Sequence, residues 1–232
     1  MADAVCPSCV LEMKGAFAVP VTYEKTDDPR APAIVRVNGR ETPVWIQRLW
    51  EEGPYAYYVQ HNGCGHCCAA MAARLHGIED IDPAKEYARC LALWGEPQGK
   101  QGHFQSVRGI AKILGSLGIR AEEAGVPASE PEEGTLRKRI GQALGEGRQV
   151  IFWSHPHPGR REENPFSPNE HYVMACGYDA DGSIVIANSR SGVQLCDLDT
   201  VMENLFYGSD PEAETWGEGG GHAGSAGAVF VG

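Results

Sequence analysis

"VQHNGCGHCCAAMAARLHG", residues 59–77, sets Cys64, Cys67 and Cys68 close together between an Asn-Gly pair and a run of small and apolar residues. Cys68, Met71, Ala72 and Leu75 recur at spacings of three and four, which predicts a helix from Cys64 to Leu75, with Gly77 as the residue just past its end. Asn62-Gly63 reads as a turn in front of that helix. Cys64 then stands at a helix N-terminus, where backbone N–H groups and the positive dipole end favour a thiolate and offer donors to an oxyanion. Cys67 lies one turn deeper, and Cys68, four residues on, takes the place of a packing residue. The plainer reading of all three is as small core residues.

A nucleophilic thiol needs a base, and His171 is the best placed of the eight histidines because it opens an apolar strand-like run, "HYVMACGY". If that run pairs with "GSIVIANS" as a hairpin across Asp179 to Gly182, Val173 comes opposite Asn188. His171 and Asn188 then share a face as diagonal cross-strand neighbours, roughly 7–8 Å apart at the backbone. In such a set the amide orients the imidazole, the imidazole takes the thiol proton, and the sulfur attacks a carbonyl. A slip of one residue would bring Ser189 there instead. Asp179 and Asp181 are turn residues by type.

Around this centre the pattern is mixed. Residues 15–47 read as strands, with Asn38-Gly39 as a hairpin turn. Helices follow: "DPAKEYARCLALWG" opens on the start signal Asp82-Pro83, "HFQSVRGIAKILGSLG" keeps Val107, Ile110, Ile113, Leu114 and Leu117 on one side, and "GTLRKRIGQALGEG" does the same with Leu136, Ile140 and Leu144. "EEAGVPASEPEEG" between the last two reads as a polar loop. After them come "RQVIFWSH", a Pro-rich loop with His155 and His157, the His171 hairpin, and a Gly-rich stretch before a final "AVFV" strand. Helices first and antiparallel strands afterwards predict an α+β protein.

A chain of 232 residues with 42% hydrophobic content has ample material for a core. Its formal net charge of −11 repels phosphate backbones and anionic lipid, which argues against nucleic acid and membrane as partners. No run approaches the roughly 18 apolar residues of a membrane span. The start, "MADAVCPSCVLEMKG", has no signal-peptide pattern, so a cytoplasmic protein with mostly reduced thiols is expected. The oligomeric state is not readable.

Taken together, these blocks resemble the papain-like cysteine peptidases of the bacteriocin-processing type, which cleave after double-glycine leaders, and their stand-alone bacterial relatives. Cys64, Gly65, Cys68, Met71 and Gly77 match the family's helix signature, and "NG" before Cys64 matches the stand-alone relatives. His171-Tyr-Val, then Gly177-Tyr178-Asp179 and "SIVIAN", is similar to its His strand and its acid or amide strand; "LRKRIGQALGEGRQVIF" resembles the helix and strand before them. The resemblance spans residues 55–206. It implies a papain-like α+β fold, with a nucleophile helix packed against an antiparallel sheet, in one domain over residues 1–232. Within that domain 1–54 would be a strand-rich extension, 55–206 the catalytic core and 207–232 a Gly-rich segment. Cys64 would be the nucleophile, His171 the base, Asn188 the orienting residue and Gln60 the oxyanion glutamine. The substrate would be a peptide or protein, and no cofactor or metal is implied. Gln60 lies only four residues before Cys64, closer than the family's glutamine, and Asn188 stands where Asp is more common. "CGHC" also resembles the Cys-Gly-Ser-Cys of papain, which would make Cys67 the nucleophile; Met71 and Gly77 fit only the Cys64 register.

Two rivals remain. The same acyl-thioester could pass to an amine or thiol in an acyltransferase or transglutaminase-like enzyme. Alternatively, Cys6-Pro-Ser-Cys9 and Cys64-Gly-His-Cys67, 54 residues apart, could hold a structural zinc in a binding protein without catalysis.

Overall fold

The apolar runs at 149–154, 171–178 and 184–188 become central strands in the computed structural model, which describes residues 23–24, 32–37, 40–95, 106–125, 130–154, 163–205 and 227–232. The described elements begin with strands β1 (Tyr23–Glu24), β2 (Ala33–Val37) and β3 (Arg40–Val44), then helices α1 (Ala56–Asn62), α2 (Cys64–Leu75), α3 (Pro83–Trp94) and α4 (Val107–Ser116). They continue with β4 (Ala121–Gly125), α5 (Glu130–Gly145), β5 (Gln149–Ser154), β6 (His171–Tyr178), β7 (Ile184–Asn188), β8 (Gly192–Cys196), α6 (Leu198–Leu205) and β9 (Gly227–Val231). The main sheet runs β4-β9-β5-β6-β7-β8, with every neighbouring pair antiparallel. The expected α+β class holds.

Both faces of this sheet are covered, and strand alternation divides the core accordingly. Ile151, Trp153, Tyr172 and Met174 pack with α2 and α4, whereas Val150, Phe152, Val173 and Ala175 pack with α5 and α6. Strands buried on both faces are apolar without interruption, which explains "VIFW" and "YVMAC". Helix α2 is buried on all sides from Gly65 to Ala73, the environment that a run of Ala, Cys and Met fits. Gly77, at φ 84°, follows its end as expected. Asp82 caps α3, accepting from the Lys85 backbone N–H at 2.8 Å, and Ser106 caps α4 through the Gly109 N–H at 2.9 Å.

The β6–β7 register, Met174 opposite Ala187, is the expected one, and its next step sets Val173 beside Asn188. The register shift between Ala175 and Gly177 lies toward the far end of the hairpin. Asp179 acts in the turn, its carboxylate accepting from the N–H groups of Asp181 (3.0 Å) and Ser183 (2.8 Å). β2 and β3 pair with Val37 opposite Arg40, as a two-residue connection at 38–39 requires.

One expectation here is corrected. Ala121–Gly125, read as loop, is an edge strand: Glu122 and Glu123 hid it, and in the fold they pair with Arg139 (2.6 Å) and Arg108 (3.0 Å). Charges of this kind on an edge strand discourage pairing with other chains. The expected final "AVFV" strand is β9, which inserts between β4 and β5. Much of residues 15–32 and the Gly-rich stretch lie outside the described residues.

Candidate functional site

Asn62-Gly63 is not a turn. Asn62 is the last residue of α1, and Gly63, with φ −85° and ψ 11°, joins α1 directly to α2. The glycine is required for space, because a Cβ there would lie 2.6 Å from the Cα and carbonyl oxygen of Val59. Gly63→Ala is therefore expected to push α1 off α2 at the residue before Cys64, costing about 1–3 kcal/mol in chemical denaturation and slowing alkylation of Cys64.

Cys64 is half-buried at the start of α2. Its sulfur lies in reach of the backbone N–H groups of Tyr172, Gly65 and Cys64 itself. Contact with the Tyr172 amide brings the thiol to the first residues of β6, next to His171. Burial pushes the thiol pKa up, the N–H groups partly oppose this, and the Glu170 carboxylate adds to the rise.

His171 is buried, and its Nε2 is bonded to Asn188 Oδ1 at 2.8 Å. Which way the amide points is decided by its other partners. Asn188 Nδ2 donates to the Phe166 carbonyl (2.9 Å) and to Gln194 Oε1 (2.7 Å), while Oδ1 also accepts the Arg190 backbone N–H at 2.9 Å. Gln194 is itself oriented by donating Nε2 to the Pro165 carbonyl at 2.6 Å. Oδ1 must therefore face the imidazole, so Nε2 carries the proton and neutral His171 presents its lone pair at Nδ1. Burial lowers the His171 pKa to about 4, with the Asn188 bond opposing and the Arg190 guanidinium assisting. The sign follows. Between pH 6.5 and about 4 the unfolded chain takes up a proton that folded His171 refuses, so this group's contribution is intact above pH 6.5 and is lost as pH falls. Denaturation curves from pH 7 to pH 4 should show a loss of about 3 kcal/mol from this residue, absent in His171→Gln.

Ser189 faces the other way, as the expected register requires. Its hydroxyl bonds Gln47 Oε1 at 3.3 Å, its carbonyl accepts the Gln47 N–H at 2.7 Å, and it hydrogen-bonds the Cys67 thiol. Cys67 and Cys68 are fully buried in the core, and burial raises both thiols well above their ordinary range. Gln60, half-buried on α1, donates Nε2 to the Arg48 carbonyl at 3.2 Å.

His66 is fully buried, with Nδ1 bonded to Glu86 Oε2 and the ring packed edge-on to Tyr58 and Tyr87. Burial alone would raise the Glu86 carboxyl, but hydrogen bonds from His66 and Cys90 and the charges of His66 and Arg89 hold it below its usual value. Polar ligand atoms of His66, Glu86 and Cys90 lie within 4.8 Å of one another and form the candidate metal group among the described residues. Arg89 Nη2 at 3.1 Å and Cys90 Sγ at 3.0 Å already share Glu86 Oε1, so the group reads as a link between the first turn of α2 and α3. Sequence reasoning missed this link, and it missed Gln194 and Gln47; a polar residue inside an apolar run, as in "GVQLC", was the available signal. The zinc alternative cannot be assembled from described residues, since Cys6 and Cys9 lie outside them, as do His155 and His157. Cys67, the last of its four cysteines, is committed to the core.

An α+β chain with a thiol at a buried helix's N-terminus, beside an imidazole whose far nitrogen is held by an amide, presents a thiol–imidazole–amide site. No protein-family description matches the chain, and no curated protein matches its sequence. Among solved structures it is similar to a Bacillus anthracis protein named as a C39-like peptidase, with 14% identity and a TM-score of 0.45 over 74% of this chain and 88% of that one. It is also similar to the Pseudomonas avirulence protein AvrPphB, with 7% identity and a TM-score of 0.31 over 73% of this chain and 89% of the other. Among the described residues, no helix is long and apolar enough to cross a membrane.

Proposed function

We propose that this protein is a papain-like cysteine peptidase acting on peptide or protein substrates. The observation that carries the reading is the Cys64 sulfur at the Tyr172 N–H, beside a His171 ring fixed by Asn188 with its acceptor nitrogen at Nδ1. Burial keeps both groups neutral at rest, so the thiol proton passes to Nδ1 as the sulfur attacks the carbonyl carbon, and no net charge enters the site. The oxyanion takes the Cys64 backbone N–H. Gln60 assists with the amide hydrogen that does not serve Arg48, since a side-chain amide has two. Imidazolium returns its proton to the leaving amine, the C–N bond breaks, and the acyl group remains on Cys64 as a thioester. Water, deprotonated by His171, then cleaves the thioester and restores the thiol.

A peptide aldehyde tests this reading. Intact-mass analysis should show one equivalent bound as a hemithioacetal at Cys64, and a fluorogenic peptide library should release amine at a rate abolished by Cys64→Ala. Aldehyde capture at Cys67, or turnover that survives Cys64→Ala, would overturn it. If product forms only when an amine acceptor is added, the acyltransferase reading replaces hydrolysis with the site unchanged.

A further inference from the structure

Helix α2 opens on two reduced thiols three residues apart, Cys64 at its first position and Cys67 one turn deeper. The peptidase reading uses only the first. Residues three apart on a helix hold their Cβ atoms about 5–6 Å apart and a disulfide needs roughly 3.5–4.5 Å, so a shift of about 1–2 Å joins such a pair. Cys64 can make that shift because it stands at the helix end, whereas Cys67 sits within the core with its N–H bonded to the Gly63 carbonyl at 2.8 Å. The sheet brings the same two sulfurs together. That of Cys64 is in reach of the Tyr172 N–H, and that of Cys67 is hydrogen-bonded to Ser189. One step beyond Val173 and Asn188, the β6–β7 register sets Tyr172 beside Ser189, and opposed residues of antiparallel strands lie about 4.5–5.5 Å apart. Both thiols therefore lie over one cross-strand pair. Cys64 is half-buried and Cys67 fully buried, so an oxidant from solvent meets Cys64 first.

We propose that Cys64 and Cys67 form a dithiol that a peroxide converts into a reversible disulfide, making Cys64 an oxidation site as well as a nucleophile. Cys64 gives its proton to His171, its sulfur attacks one peroxide oxygen, the O–O bond breaks, and the leaving hydroxide takes that proton as water. The Cys67 sulfur then attacks the sulfur of the Cys64 sulfenic acid, the S–O bond breaks, and the hydroxyl leaves as water with the Cys67 proton. The two sulfurs together lose two electrons, and one peroxide becomes two waters. A dithiol reductant reverses the link by exchange and becomes a disulfide itself. The role of His171 in the first step, and the loss of peptide cleavage that follows, rest on the proposed function; the link does not.

The test is treatment of the full chain with about one equivalent of hydrogen peroxide, then denaturation in N-ethylmaleimide, trypsin digestion and peptide sequencing by mass spectrometry. The peptide from Leu49 to Arg74 holds Cys64, Cys67 and Cys68 and no other cysteine. It should lack two hydrogens between Cys64 and Cys67, carry N-ethylmaleimide on Cys68 alone, and return to three labelled thiols after dithiothreitol. Capture of the peptide aldehyde by Cys64 should be lost on oxidation and regained on reduction. In Cys67→Ala, peroxide should carry Cys64 to the sulfinic acid, which dithiothreitol does not restore; full recovery of a folded variant would overturn the proposal. If that variant does not fold, the unsubstituted chain decides. A Cys64–Cys68 link, a sulfinic acid at Cys64 with Cys67 still reduced, or Cys64 left unoxidised would each overturn it. A Cys64–Cys67 link in a protein whose reduced form captures no aldehyde would leave the dithiol standing and remove the peptidase reading; aldehyde capture without the link would do the reverse.

Discussion

His171→Ala is expected to lower kcat for the proposed peptide hydrolysis by about 10³–10⁴-fold with little change in KM, and Cys64→Ala to do the same or more. The reason lies in the pairing. Burial raises the Cys64 thiol and holds His171 neutral, so without a base at Nδ1 the sulfur must ionise unaided in a site that disfavours its charge. Because the two act as one unit, the double variant should be no slower than the worse single one. Steady-state kinetics on one peptide substrate checks this, with melting temperatures as control. His171 is a buried polar group, and its loss should leave the fold at pH 7 near its original stability relative to the change in rate. A double variant that multiplies the two losses would mean that the residues act separately.

Asn188→Asp is expected to destabilise the fold by about 3 kcal/mol or more near pH 8, although it changes a single side-chain heavy atom. Oδ1 keeps its bond to His171, but the atom replacing Nδ2 becomes an acceptor facing the Phe166 carbonyl and Gln194 Oε1, now at 2.9 and 2.7 Å. Gln194 cannot turn to donate without releasing the Pro165 carbonyl, which it holds at 2.6 Å. The introduced carboxyl is driven to a higher pKa than in the unfolded chain. Its penalty is therefore small below about pH 4 and grows as pH rises through that value. Alternatively His171 takes a proton beside it, which fills Nδ1 and removes the base. Denaturation at pH 5 and pH 8 should show the larger loss at pH 8. Wild-type stability in Asn188→Asp at pH 8 would show that the amide is not locked as described.

Much of this site was legible because it depends on short-range patterns. The spacing of Cys68, Met71, Ala72 and Leu75 gave α2 its limits, and the turn residues Asp179 to Gly182 pinned a register that put Asn188 beside His171 and Ser189 toward Cys67. Gly63 reads in the sequence as part of a turn, whereas close approach to Val59 is what requires a glycine there. What remained hidden was long-range. Nothing near Glu122 and Glu123 announces that β9, more than a hundred residues on, pairs with them. Nothing beside His66 in the sequence points to Glu86, on another helix, the partner that makes its burial tolerable. Gln60 keeps its place four residues before Cys64, and its bond to Arg48 became visible only once the 47–49 turn folded against α1.

The proposed chemistry requires His171 to serve Cys64 as a base, and the pH dependence of Cys64 alkylation by iodoacetamide, read by peptide mass spectrometry, tests this most directly. With the imidazole held near pKa 4, the rate in the intact protein should rise near that pH and stay level through neutrality. In His171→Ala the level region should vanish, leaving a slow rate that climbs only above pH 9, where the thiol itself ionises. Identical profiles in the two proteins, both following ionisation of a thiol alone, would contradict the assignment of Cys64 and His171 as a catalytic pair.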